Sequence, residues 1–229
     1  TSGVLDLQRR NAAIMFVDIR GFTTYAESAS AHQLARVLAE YRNVVAGTVF
    51  THGGTVDKFI GDGVMAVFGQ PRPKSDDVER ALKCAIALTT ALETWRCMNV
   101  SWGGPNLKTG IGLHYGTILG GVLESGFHDE FTVIGDAVNV AQRLESLAKF
   151  LQSPLVVSEC VINGATDFIE ADRWTYRSGI KIPGRNASLN IAYFRHTAGT
   201  PSTHDTGELH TDFSRSTFQS LLPGAKLGT

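Results

Sequence analysis

Six consecutive apolar residues, Ala12–Val17, run directly into Asp18. Such a run is too short for a helix buried on all sides and fits a strand covered on both faces. Asp18 then stands at the rim of a sheet. Gly21, Phe22, Thr23 and Thr24 follow at once, offering free backbone N–H groups where a helix begins, a favourable place for phosphate oxygens. An acid suited to a metal thus lies beside a cradle suited to an anion. Taken alone, an aspartate that caps a turn and a glycine that bends the chain account for the same residues.

From this strand the chain reads outward in both directions. Residues 1–11 are short and polar, a lead-in from upstream in which Val4, Leu5 and Leu7 are expected to continue a helix. Ser30 to Gln33 has the form of a capping box, and Leu34, Val37, Leu38, Tyr41, Val45 and Val49 follow at helical spacing. His52, Gly53 and Gly54 stop that helix. Thr55–Ile60 and Val64–Phe68 read as strands around Gly61, Asp62 and Gly63, a hairpin turn in which glycine supplies the positive φ. A second helix starts at Asp76–Glu79 and carries Val78, Leu82, Ala85, Ile86, Thr89 and Leu92 inward.

After Gly103, Gly104 and Pro105, the segments Leu107–His114 and Thr117–Leu123 are expected to form another hairpin around Tyr115 and Gly116. Phe131–Ile134 reads as a short strand, and Gly135 and Asp136 open a third helix through Phe150. On it Ala137, Val140, Ala141, Leu144, Leu147 and Ala148 share one side, while Asn139, Gln142, Arg143 and Ser146 share the other. Asn139 and Arg143 are four apart and point the same way, as on any solvated helix face. Strands are expected over Pro154–Ser158, Phe168–Arg177 and Ser188–Arg195. From Thr197 the chain is a polar tail, with Phe213, Phe218, Leu221 and Leu222 available to dock.

The length, 229 residues with a formal net charge of −1, suits one domain with a substantial core and lacks the basic excess of a nucleic-acid binder. No run approaches the length needed to cross a bilayer, and no charged-then-apolar leader is present. Cys84, Cys97 and Cys160 are odd in number and widely spaced, which fits a reduced, cytoplasmic compartment. The first residue is Thr rather than Met, as expected of a fragment or a processed chain, with an upstream regulatory domain or membrane anchor expected outside it.

Three stretches in register carry more information than any of these signals singly. FVDIRGFT, GGTVDKFIGDGVMAVFG and FTVIGDAVNVAQRLE, in that order and at those separations, strongly resemble the catalytic domain of class III nucleotidyl cyclases, specifically adenylyl cyclases. The resemblance runs from Ala12 to Arg195, so the domain is expected over 12–196 and the tail over 197–229. It implies an α+β fold, a ferredoxin-like mixed and largely antiparallel sheet with packed helices. It also implies that Asp18 and Asp62, with the Ile19 carbonyl, hold two Mg²⁺ ions, for which Mn²⁺ substitutes. Gly21, Phe22 and Thr23 would receive the terminal phosphates, Lys58 and Thr132 would face adenine, and Asn139 and Arg143 would orient the ribose and stabilise charge on the reacting phosphate. The substrate implied is ATP, the product cyclic AMP, and the assembly a homodimer whose sites are shared between two chains.

Lys58 donates to adenine N1 and the Thr132 hydroxyl accepts from the 6-amino group, whereas guanine presents an N1–H that meets a donor. Guanylyl members of the family carry Glu and Cys at these positions. Thr in place of the commoner Asp resembles the bicarbonate-stimulated subgroup, so stimulation by bicarbonate is expected. Many members carry Lys just before the Gly of a late Lys-Gly element, but Pro183 stands there in this chain, leaving Lys181 or Arg185 to substitute. A catalytically silent nucleotide-binding module and a guanylyl cyclase are the alternatives. His114, His128 and Trp102 are expected to be structural or loop residues.

Overall fold

β1 (Asp6–Arg20) is the spine of the sheet. The computed structural model describes residues 6–124, 129–165, 173–182, 185 and 187–194. Its elements after β1 are α1 (Phe22–Ser28), α2 (Ala31–Thr51), β2 (Thr55–Ile60), β3 (Gly63–Phe68) and α3 (Asp77–Ser101). Then come β4 (Lys108–Glu124), β5 (Asp129–Ile134), α4 (Asp136–Phe150), β6 (Leu155–Ser158), α5 (Glu159–Gly164), β7 (Trp174–Ile180) and β8 (Leu189–Phe194). The strand order is β2-β3-β1-β4-β6-β8-β7, with β5 added against β4; among the described residues β4 and β6 pair in parallel and the other pairings are antiparallel. The α+β architecture implied by the sequence is the one observed.

The apolar run of β1 is explained by what covers it. Ala13, Met15, Val17 and Ile19 face Val37, Tyr41, Val45 and Val49 of α2 and the inner side of α3, forming the larger core. Ala12, Ile14 and Phe16 face the other way, onto Ala137 and Ala141 of α4. Alternation in a strand places Asp18 and Arg20 on this second face too, continuing the row that meets α4. The capping box of α2 is present: the Ser30 hydroxyl accepts from the Gln33 N–H and the Gln33 side chain accepts from the Ser30 N–H.

Three expectations are corrected. Residues 6–11 are not helical: they extend β1 and pair with 117–122 of β4, and only Val4 and Leu5 of the apolar trio lie outside the described residues. The hairpin expected at Tyr115 and Gly116 is one unbroken strand of 17 residues, β4. Its glycines answer to close packing and not to a turn. A Cβ at Gly112 would collide with the Glu145 amide and the Ala141 carbonyl of α4, and one at Gly116 would lie 3.1 Å from the Ala137 Cβ. The partner strand of the true hairpin is β5, paired over Leu119–Glu124. α5 was not anticipated, and the strand expected from Phe168 begins at Trp174 among the described residues. His128, Pro183 and the tail from Thr197 lie outside them.

Candidate active site

Two elements that are far apart in the chain deliver the two aspartates to one edge of the sheet. Asp18 lies near the end of β1, opposite Gly110 of β4. Asp62 sits in the two-residue loop between β2 and β3, where Ile60 pairs with Gly63 and Gly61 has φ 62°, the glycine-first arrangement of a type II′ turn. Arg42 of α2 fixes this turn, its Nη2 donating to the Gly61 carbonyl at 2.7 Å while its guanidinium covers the Phe59 ring at 4.6 Å. Gly63 keeps the approach open, since a Cβ there would lie 3.6 Å from Asp18 Oδ1 and 3.1 Å from the Ile60 carbonyl. This geometry brings Asp62 close enough to Asp18 for its carboxyl to act on that of Asp18.

That proximity has an electrostatic consequence. Burial first, then the charge of Asp62 and the bond to it, push the Asp18 carboxyl up from 3.8 to about 7. Two carboxylates this close ionise together at a cost that a bound cation would offset. Their donor set is hard oxygen, the kind Mg²⁺ takes from one or two carboxylates with the remainder from water and substrate phosphates. The two carboxyls would supply such oxygens; among the described residues no group of three or more His, Cys, Asp or Glu side chains is gathered, here or elsewhere. The Ile19 side chain is buried, and its backbone acts on the Asp18 carboxyl to lower its pKa against the larger raising effects.

A polar layer that the sequence reading missed surrounds the pair. Glu145, on the inward face of α4, is 9% exposed and its carboxyl is pushed up to about 8 by burial and by Asp18, against Arg20 and Lys149. The signal was available: Glu145 falls at helical spacing within the apolar stripe of Ala141, Leu144 and Ala148. From the opposite side of the sheet Tyr41 brings a fully buried hydroxyl with no hydrogen-bond partner, and burial followed by Asp18, Asp62 and Glu145 raises its pKa.

The other site residues divide between those brought together and those turned outward. Gly21, at φ 76°, is the N-cap of α1, and the N–H groups of Phe22 and Thr23 open that helix next to Asp18. Lys58 lies on β2 after a bulge, its Nζ 3.7 Å from Asp57 Oδ2, and Thr132 lies on β5, which touches β2. Asn139 is exposed and Arg143 is half-buried on α4, and neither makes a hydrogen bond or ion pair within the chain among the described residues. Arg185 is engaged at the start of α4, its Nε 3.2 Å from Asp136 Oδ2, while Lys181 is exposed. His114 is structural as expected, buried and bonded to Ser158 Oγ at 2.8 Å. Trp102 is exposed at the end of α3.

With this geometry in view, similarity to known proteins decides the family. The model of the adenylate and guanylate cyclase catalytic domain matches residues 6–194. The chain belongs to this family. Adenylate cyclase 1 of Rhizobium meliloti (strain 1021) is 31% identical over 183 residues, 80% of this chain and 27% of that protein. The adenylate cyclase of Anabaena cylindrica is 31% identical over 186 residues, 80% of this chain and 36% of its own length. The chain thus spans about a quarter to a third of these curated relatives. Among solved structures, the guanylyl cyclase Cya2 superposes with a TM-score of 0.74 at 27% identity, covering 89% of this chain and 98% of that one. The adenylyl cyclase CyaB of P. aeruginosa gives 0.72 at 28%, covering 89% and 100%. The cyclase fold is thereby fixed, and the base is left to the residues that face it. No helix among the described residues is long and apolar enough to cross a membrane.

Proposed function

We infer that this cyclase domain converts ATP to 3′,5′-cyclic AMP and pyrophosphate at sites completed by a second copy of the chain. The observation that carries the reading is the division of the site residues. Asp18 and Asp62 are neighbours at one sheet edge, while on α4 of the same chain Asn139 is exposed and Arg143 half-buried, neither with a partner among the described residues. Phe59, Ile60, Leu119, Val122 and Ile134 are exposed on β2, β4 and β5, apolar surface on the strands that carry Lys58 and Thr132. A two-fold dimer supplies both what Asn139 and Arg143 meet and what covers this surface.

Each side chain then has a task set by its chemistry. Asp18 and Asp62, with the Ile19 carbonyl, would hold two Mg²⁺ ions, which neutralise the triphosphate and lower the pKa of the ribose 3′-hydroxyl. The amides of Phe22 and Thr23, with the turn at Gly21, receive phosphate oxygens. Lys58 donates to adenine N1 and Thr132 accepts from the 6-amino group. Asn139 hydrogen-bonds the ribose, holding O3′ in line with the α-phosphorus. As the O3′–P bond forms and the bond to pyrophosphate breaks, Arg143 donates to the oxygens on which charge accumulates. With Arg185 taken up by Asp136, Lys181 is the cation available to contact the phosphates from the late element that contains Pro183.

The test is turnover of ATP and of GTP with Mg²⁺ or Mn²⁺, followed by separation of cyclic nucleotide and pyrophosphate. A donor facing a donor favours ATP on the order of ten- to a hundredfold. Preference for GTP would overturn the base assignment, and nucleotide binding without product would mark a silent module.

A further inference from the structure

Arg20 and Glu145 are charged residues in the packed layer between the sheet and α4, and nothing in the proposed chemistry uses them. Their place follows from the sheet. Arg20 continues the face of β1 that meets α4, and Glu145 lies on the side of α4 that meets β4. Between them is Gly110. A Cβ at that position would lie 2.9 Å from Glu145 Oε1, 3.1 Å from Arg20 Nη2 and 3.3 Å from Arg20 Nε. The missing side chain is the space that both groups fill. Arg20 Nη2 also donates to the Ser153 carbonyl at 2.5 Å, three residues beyond the end of α4. Its Nε is buried with no hydrogen-bond partner, and Glu145 is the acid that acts on it across Gly110. Lys149 and Asp18 are the other charged groups that act on Glu145.

This pair joins the two parts of the chain that the proposed function assigns to different sites. β1 ends in Asp18, Ile19 and Arg20, and α4 carries Asn139, Arg143 and, half a turn later, Glu145. Resting on the shared-site reading, we propose that Arg20 and Glu145 are positioning residues that lock the end of β1 to α4, so that each chain holds its two half-sites in one fixed relation. Arg20 suits the task because a planar fork fixes direction as well as distance to its acceptors. A shift of about 1 Å at a reacting group is enough to lose on the order of a hundredfold in rate.

The experiment places Glu145→Gln in one chain of a mixed dimer at a time. The reference is Asp18→Ala mixed with Arg143→Ala, whose one complete site takes its aspartates from the second chain and its Asn/Arg pair from the first. A locking pair lowers kcat on the order of tenfold in either placement. When the substitution is in the aspartate-supplying chain, half-saturation by Mg²⁺ also moves to higher concentration; in the other chain it does not. Loss in one placement only, or in neither, overturns the proposal. A silent reference mixture beside an active unsubstituted protein overturns the shared-site reading itself, and the lock between two sites falls with it.

Two further measurements separate the pairing from the role, the first without turnover and the second without removing a charge. Thermal melting in chelator of Arg20→Gln, Glu145→Gln and the double variant is expected to be non-additive, the double melting no lower than the worse single. Gly110→Ala, which wedges the pair apart without removing a charge, is expected to reproduce the Glu145→Gln rate loss. Additive melting overturns the pairing, and an unaffected rate in Gly110→Ala overturns the role.

Discussion

Replacing Asp18 by asparagine should make the metal-free protein more stable, and only at high pH. In the fold, burial and the Asp62 charge raise the Asp18 carboxyl from 3.8 to about 7. An acid whose pKa is higher in the folded than in the unfolded chain binds its proton more tightly when folded. Below the unfolded value both states are protonated and nothing is lost; as pH rises to about 7 the folded state forfeits that advantage, and above it the whole penalty is present. At roughly 1.4 kcal/mol per pH unit the interval corresponds to about 4 kcal/mol. The remaining water contact of Asp18 reduces the expected penalty to about 2 kcal/mol. Urea unfolding with chelator, at pH 4.5 and at pH 8, measures it directly. Asp18→Asn should exceed the unsubstituted protein by about 2 kcal/mol at pH 8 and by about 0.5 kcal/mol or less at pH 4.5. Added Mg²⁺ should stabilise only the unsubstituted protein at pH 8. An equal difference at both pH values, or a variant that is weaker at pH 8, refutes the argument that these carboxyls are held together against their own repulsion.

Gly112→Ala should lower the melting temperature by about 5 °C or more, since the new methyl meets the α4 backbone, lying 2.8 Å from the Glu145 Cα, where neither side can yield; an unchanged melt contradicts the close approach of α4 to β4. Lys58→Glu combined with Thr132→Cys should transfer the preference from ATP to GTP by reversing the donor at N1, measured as the ratio of kcat/KM for the two nucleotides. Bicarbonate at fixed pH and ionic strength should raise turnover, and unchanged rates across its titration exclude this chain from the responsive subgroup.

Much of the fold was legible because local signals and packing agree. The apolar run ending in Asp18, the capping box at Ser30 and the glycine-first turn before Asp62 each specify a local shape that the core also requires. The misreading of β4 shows where locality fails. Gly110, Gly112 and Gly116 look like turn residues, yet they are small because α4, Glu145 and His114 press against the strand, and most of that packing comes from residues far along the chain. The β1 extension over residues 6–11 was likewise invisible, because its polar side chains need only β4 beside them and not a core above. Of the site, the three long motifs pointed to Asp18, Asp62, Lys58, Thr132, Asn139 and Arg143, while Arg20 and Glu145, inside the same motifs, and Tyr41 received no role. A buried polar group is legible only once its surroundings are known, and those of these three are assembled from β1, α2 and α4.

The most direct measurement mixes two chains that are inactive alone. Asp18→Ala lacks a carboxylate of the pair and Arg143→Ala lacks the outward-facing cation of α4, so each homodimer has two broken sites. Random reassortment makes about half of the dimers mixed, each with one complete site, so about a quarter of the unsubstituted cyclic AMP formation from ATP should return. If the mixture stays as inactive as its components while the unsubstituted protein turns over, the site is not built from two chains and the shared-site account is wrong.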